Sequence, residues 1–281
     1  MTAILGGFGA ASCWAVAMLC SSRASRRLGA GATLAWVMSI GLVIVLPFVI
    51  AAGSLPTGTE SAWLFLAGTG NIVGLMCEYT AVRSGKVGVV AAIASTEGAV
   101  AALLSAIAGE PISAAVAAVL ALIAAGIVMA SLEETVAIGD RDRRATKAVV
   151  LASAAALSFG ISLYSIGHVS GDLDVAWLML PARLVGVAVI AVPLALRSGL
   201  AIPKRSAPSV LAAGVAEVIG VASFAWGARD SIGIASVLGS QFAAISAVGA
   251  YFFVGERLRR RQVVGVAGIV VGVGLLALFR A

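Results

Sequence analysis

The sequence predicts an all-α integral membrane protein of ten transmembrane helices arranged as two inverted five-helix repeats, and three observations carry that expectation. The 281 residues are 61% apolar and 11% charged, whereas an ordinary soluble domain is roughly half apolar and about a quarter charged. Apolar runs of the length needed to cross a hydrocarbon core, about 20 residues, recur along the whole chain. The chain is also written twice: with one offset of 146 positions and no gap, Gly68, Gly74, Arg83, Gly109 and Glu110 fall on Gly214, Gly220, Arg229, Gly255 and Glu256. The same offset carries Ser12 onto Ser158, Pro47 onto Pro193 and Gly126 onto Gly272, so the unit spans nearly the whole chain.

The predicted spans lie near 2–21, 33–52, 61–82, 87–108 and 112–132, then 147–167, 175–196, 208–228, 232–254 and 262–279. Their runs of Ala, Val, Leu and Gly are continuous rather than alternating, which excludes an outer-membrane barrel. No Lys or Arg precedes the first run and no small-residue cleavage site follows it, so it reads as helix 1 rather than a signal peptide. The repeats are placed at 1–135 and 147–281, joined by a cytoplasmic loop over 136–146. Ten spans leave no room for a soluble catalytic or binding domain. The Gly-Glu turns have a structural explanation: glycine adopts the left-handed conformation that ends a helix, and Glu110-Pro111 starts the next one with a carboxylate at its positive end.

Of 19 Lys and Arg, all but Arg183, Arg229 and Arg280 fall in the loops after spans 1, 3, 5, 7 and 9. The positive-inside rule makes those loops cytoplasmic and puts both termini on the other side, in a bacterial-type inner membrane. A five-helix unit is odd-numbered, so its second copy enters the membrane upside down. Inverted repeats of this kind are a transporter architecture, with the substrate site near the midplane between them.

Composition and motifs also exclude alternatives. A pI near 9.8 reflects loop charges that set topology, so no nucleic-acid partner is expected. Cys13, Cys20 and Cys77 lie within spans at spacings that fit neither a disulfide framework nor a metal site, and read as small buried apolar residues. His168 is the only histidine and falls at a span end, which makes it a loop residue rather than a proton relay. Without a nucleophile-and-base pair or a metal-ligand spacing, the chain does not read as an enzyme, and no catalytic residue, cofactor or metal is expected. No Walker sequence couples it to ATP. Gly70-x-x-x-Gly74 and Gly268-x-x-x-Gly272 fit close packing within one chain, and the expected unit is a monomer in the lipid bilayer.

Charged groups at mid-membrane are costly and need a reason. Glu97 sits at the centre of span 4 among small residues, Arg183 near the centre of span 7, Glu217 near the centre of span 8, and Glu78 one turn from the end of span 3. Glu97 reads as a substrate or proton site, or as a structural hydrogen-bonding partner. Arg183 follows Pro181, which loosens the preceding turn; it suits a substrate carboxylate or a fixed ion pair with Glu217 or Glu97. Asn71 shares a helix face with Glu78, and the repeat offset sets it opposite Glu217. Ser95 corresponds likewise to Gln241, beside Ser240; for these neutral residues interhelical bonding is the alternative. Trp14, Tyr79, Tyr164 and Trp226 offer flat walls to a ligand or pack against lipid and neighbouring helices, whereas Trp63 and Trp177 belong to the interfacial belt.

Ten spans, two five-helix halves and the Gly-Glu turn closing the fourth helix of each half resemble the EamA-type branch of the drug/metabolite transporter superfamily, over residues 2–280. The chain is similar in size to the aromatic amino acid exporter subgroup. The resemblance implies a secondary carrier exporting a small-molecule substrate, an amino acid or related metabolite, by alternating access. Export of drugs or other metabolites, a lipid flippase and an auxiliary membrane subunit are the alternatives.

Overall fold

The computed structural model describes residues 1–52, 55–108, 115, 118, 122, 140–167, 169, 173–197, 200–228, 238–239, 241–255, 257 and 260–278. Among them there is helix, turn and coil but no strand. The first half contributes α1 (Thr2–Leu28), α2 (Ala30–Ala51), α3 (Gly58–Ser84), α4 (Val87–Ala94) and α5 (Glu97–Ile107). The second contributes α6 (Asp140–Gly167), α7 (Val175–Gly186), α8 (Val192–Leu196), α9 (Ala207–Ala228), α10 (Phe242–Gly249) and α11 (Arg260–Leu278). Five helices, Ile4–Leu28, Ala30–Ala51, Arg143–Ile166, Val175–Leu196 and Ala207–Gly227, are long and apolar enough to cross a membrane. α3 has the length, 27 residues, but carries Asn71 at its midpoint and Glu78 two turns further on. The span expected at 112–132 lies outside the described residues except at 115, 118 and 122.

Local sequence accounts for the element ends. Thr57 and Glu60 form a capping box that satisfies the first N–H groups of α3. Gly29, at φ 91°, makes the tight turn from α1 into α2, and Gly255, at φ 73°, ends its helix in the left-handed conformation the Gly-Glu turn requires. Gly109 and Glu110 of the first copy lie outside the described residues. Pro193 has no N–H to give to Val189, and a π-helical turn over Val187–Ala191 absorbs the mismatch between α7 and α8. A second π turn, Ala250–Val254, extends α10.

Two expected boundaries are corrected. Of the connecting loop assigned to 136–146, residues 140–146 are helical, within Asp140–Gly167, and 136–139 lie outside the described residues. Span 4 is not continuous: a turn at Ser95–Thr96 separates α4 from α5. Ser95 Oγ donates to Ala92 O at 2.8 Å and Thr96 Oγ1 to Ile93 O at 2.7 Å. These hydroxyls add bonds to carbonyls at the end of α4, where Ile93 O also accepts from Thr96 N at 3.1 Å, as a broken helix inside a membrane demands.

The halves pack by a rule that survives their exchange. α1 lies on α9, and its repeat image α6 lies on α3; α2 lies on its own image α7, and α4 lies on α10, the counterpart of α5 in the second half. The α2–α7 pair runs antiparallel. Met38 touches Gly186, Gly41 touches Arg183, and further along Val45 and Val49 cluster with Met179, Leu180 and Ala176. A helix antiparallel to its own image is the direct signature of inverted repeats.

The basic loops also converge at one end of the bundle. Arg26 donates to Val82 O and Gly85 O at 3.0 and 3.2 Å, Arg27 to Arg205 O at 3.4 Å, and Arg23 to Phe253 O. Gly85 in turn abuts Ala148 of α6. Helix ends that the charge pattern assigns to one side therefore meet on one side. Around the outside, Phe8, Val43, Phe48, Ile50, Phe65, Val189, Leu196 and Phe252 are exposed, an apolar belt suited to lipid.

Glycines set how closely the halves approach. A methyl group added at Gly68 would lie 2.7 Å from the Pro181 carbonyl carbon and 2.8 Å from the Ala182 nitrogen, whereas one at Gly31 meets nothing within 4 Å. Gly68→Ala is expected to destabilise the detergent-solubilised protein by about 1–3 kcal/mol through overpacking against backbone. Gly31→Ala should leave thermal unfolding unchanged or slightly raise its midpoint, and equal midpoints for the two variants would refute this contact.

Candidate substrate cavity

The bundle holds a partly open cavity of about 120 Å³ between the two halves. The first half supplies Trp14, Ala17, Met18 and Ser21 from α1, Asn71, Leu75, Glu78 and Tyr79 from α3, and Glu97 from the first turn of α5. The second supplies Phe159, Ser162, Leu163 and Ile166 from α6, Glu217, Val221 and Phe224 from α9, and Phe242 from the start of α10. Each helix presents one face, as the spacings 71, 75, 78 and 217, 221, 224 require.

Backbone geometry places Glu97. As the first residue of α5, after the Ser95–Thr96 turn, its carboxylate stands at the positive end of a helix. Counted from the helix starts, its counterpart is Phe242, the first residue of α10, rather than Ala243 as the constant offset gives. The two halves thus deliver a carboxylate and an aromatic ring to the same cavity from equivalent positions.

The aromatic wall depends on two equivalent glycines. Methyl groups at Gly220 and Gly74 would fall 2.6 Å from the Trp14 ring and 2.5 Å from the Phe159 ring. Their absence lets each ring lie against the opposing helix. Trp14 also packs against Phe224, with centroids 5.8 Å apart, and edge-on to Phe242 at 6.3 Å.

Arg183 is 2% exposed and donates from Nη2 to Glu217 Oε2 in a buried ion pair. Its Nε has no partner, and the absent side chain of Gly41 makes room for it. The guanidinium does not line the cavity, although Glu217 does. Among the described residues Arg183 is the one buried cation, against the buried Glu78 and Glu217 and the half-buried Glu97. Neither Glu78 nor Glu97 has an ion-pair partner among them. Asn71 Oδ1, at the same cavity, is buried without a hydrogen-bond donor.

Of the twelve residues proposed from sequence, the structure gathers Trp14, Asn71, Glu78, Tyr79, Glu97 and Glu217 around one cavity. Five are placed elsewhere. Arg183 is behind Glu217, and Ser95 is fully buried and occupied with the end of α4. Tyr164 packs edge-on to Trp63 with centroids 6.1 Å apart. Trp226 is 48% exposed on α9. Gln241 caps α10, its carbonyl accepting from Ala244 N at 3.0 Å. Ser240 lies outside the described residues, as does His168. Sequence reasoning missed Phe159, Ser162, Phe224 and Phe242; the spacing of Phe224 from Glu217, seven positions on one helix, is the signal that would have found Phe224.

Two inverted halves around a partly open cavity lined by carboxylates are an architecture found in membrane transporters. The profile of the EamA-like transporter family matches residues 1–132 and 146–278, one match for each half. The chain belongs to that family, whose members are transporters. A solved structure titled "Crystal structure of protein" superposes with a TM-score of 0.70 at 16% identity, covering 99% of this chain and 97% of that one, which bears on the fold alone. No curated protein matches the sequence.

The ion pair makes a prediction. Arg183→Leu leaves Glu217 buried without its counter-charge and should cost about 3–5 kcal/mol, while Arg183→Leu combined with Glu217→Leu should recover most of the loss. Thermal unfolding of the three proteins in detergent measures it. A double variant no more stable than the single one would show that the pair is not the reason for the cost.

Proposed function

We propose that this protein is a ten-span secondary transporter of a bacterial-type inner membrane, exporting small polar metabolites, amino acids foremost, by alternating access with both termini outside the cytoplasm. The observation that carries the reading is the cavity itself: both halves line it, and two of its carboxylates, Glu78 and Glu97, have no cation partner among the described residues. Rocking of one half against the other would expose such a cavity to each side in turn. Trp14, Asn71, Glu78, Tyr79, Glu97 and Glu217 are the substrate-contacting set. An amino acid presents its ammonium to Glu78 and Glu97 and its side chain to the aromatic wall; its carboxylate reaches Arg183 only in exchange for Glu217.

The break at Ser95–Thr96 supports this use of Glu97, because discontinuous helices at mid-membrane build ion and substrate sites in carriers. Liposomes containing only this protein, preloaded with an unlabelled amino acid mixture, should accumulate labelled amino acids by counterflow. Glu97→Gln keeps the size of the side chain but cannot ionise. That variant should reach the membrane and resist heat like the parent while losing at least about 10-fold in counterflow rate, the effect of about 1.4 kcal/mol. Counterflow for none of the amino acids would overturn that substrate class, and an unaffected Glu97→Gln would remove Glu97 from the cycle.

A further inference from the structure

The carboxylates that line the cavity outnumber the cations available to them, and this asymmetry has a chemical meaning. Glu217 already binds Arg183. Glu78 and Glu97 line the same small cavity with no cation partner among the described residues, and charge in such a setting must be paired or neutralised by protons. Asn71 Oδ1 adds an acceptor without a donor. The unsatisfied buried atom on the cavity lining is thus an acceptor and stands beside two carboxylates, so the partner that fits brings donors and positive charge.

The apolar part of the cavity fits that partner. Trp14 lies in contact with Phe224 and Phe242, and all three line the cavity with the two glutamates. Aromatic faces attract cations and accept an apolar body equally well. A carboxylate of the substrate, by contrast, finds no open cation among the described residues, because the buried guanidinium of Arg183 is paired with Glu217.

Resting on the transport reading above, we propose that the cavity is an organic-cation site: Glu78 and Glu97 bind the ammonium of a small amine, Trp14, Phe224 and Phe242 hold its apolar body, and no substrate carboxylate is required. Substrates therefore include amines as well as amino acids. The amine enters as the two glutamates give up protons to the water on the side to which the cavity is open, and it leaves as they take protons back. Cation and proton compete for one pair of carboxylates.

The titratable and charged groups that line the cavity or touch its lining are few. α3 brings Glu78 and Tyr79, α5 brings Glu97, α9 brings Glu217, and α7 brings Arg183 behind it; the lining residues of α1, α6 and α10 include none. Competition between amine and protons should accordingly follow Glu78 and Glu97, and binding should weaken as pH falls.

Binding of three compounds to the purified protein in detergent tests the proposal: 2-phenylethylamine, phenylalanine and N-acetyl-2-phenylethylamine, which lacks the charge. The amine should bind at least as tightly as the amino acid and on the order of 30-fold or more tightly than the acetylated compound, the effect of a buried charge left without its partner. Acidification should weaken amine binding, and Glu78→Gln with Glu97→Gln should abolish both the binding and its pH dependence. The wild-type comparison stands even where that variant folds poorly. Tight binding of phenylalanine with none of the amine, alongside amino-acid counterflow in liposomes, would overturn the cation site and leave the transporter reading intact. Equal binding of amine and acetylated amine would also overturn it. Absence of both binding and counterflow for amine and amino acid alike would count against both readings.

Discussion

The centre of the bundle is organised by the commitment of Arg183 to Glu217. A guanidinium buried in the last turn of α7 cannot remain without a counter-charge, and neighbouring helices answer in two ways: α9 supplies the carboxylate, and α2 supplies the space, through Gly41. Once this pair is closed, the buried charge that remains among the described residues is negative. Glu78 and Glu97 then face the cavity unmatched, and the character of the site follows from that imbalance.

Duplication explains where the imbalance arises. Equivalent contacts recur in the two halves: Gly74 receives Phe159 as Gly220 receives Trp14, and α3 receives α6 as α9 receives α1. Charge does not recur. Glu217 corresponds to Asn71, and Glu97 at the start of α5 corresponds to Phe242 at the start of α10. A symmetric scaffold thus holds an asymmetric lining, with acidic groups and rings delivered from equivalent helix positions to different walls.

Much of this was legible in the sequence. The repeat could be read because glycines, arginines and glutamates keep a constant spacing, and the antiparallel pairing of α2 with α7 is what an odd number of helices per repeat implies. The cavity-lining acids could be read because ionised groups in an apolar run demand a reason. The helix break at Ser95–Thr96 could not: no proline marks it, and the hydroxyls that bond back to Ala92 and Ile93 look, in sequence, like small residues of a continuous helix. The same limit applies to Phe159, Phe224 and Phe242, since an aromatic residue in an apolar run serves equally well toward lipid, core or cavity. The destination of Arg183 was open as well, because spacing alone does not choose between a substrate and a neighbouring glutamate.

The central claim is that one cavity, shared by the inverted halves, serves both sides of the membrane. Leu163 lines that cavity from α6, and Leu163→Cys in a background with Cys13, Cys20 and Cys77 replaced reports its accessibility. An impermeant thiol reagent applied to right-side-out and to inside-out vesicles should modify this cysteine from either side, more slowly when one conformation is trapped. Modification from one side alone under all conditions would contradict alternating access and leave the cavity a blind pocket.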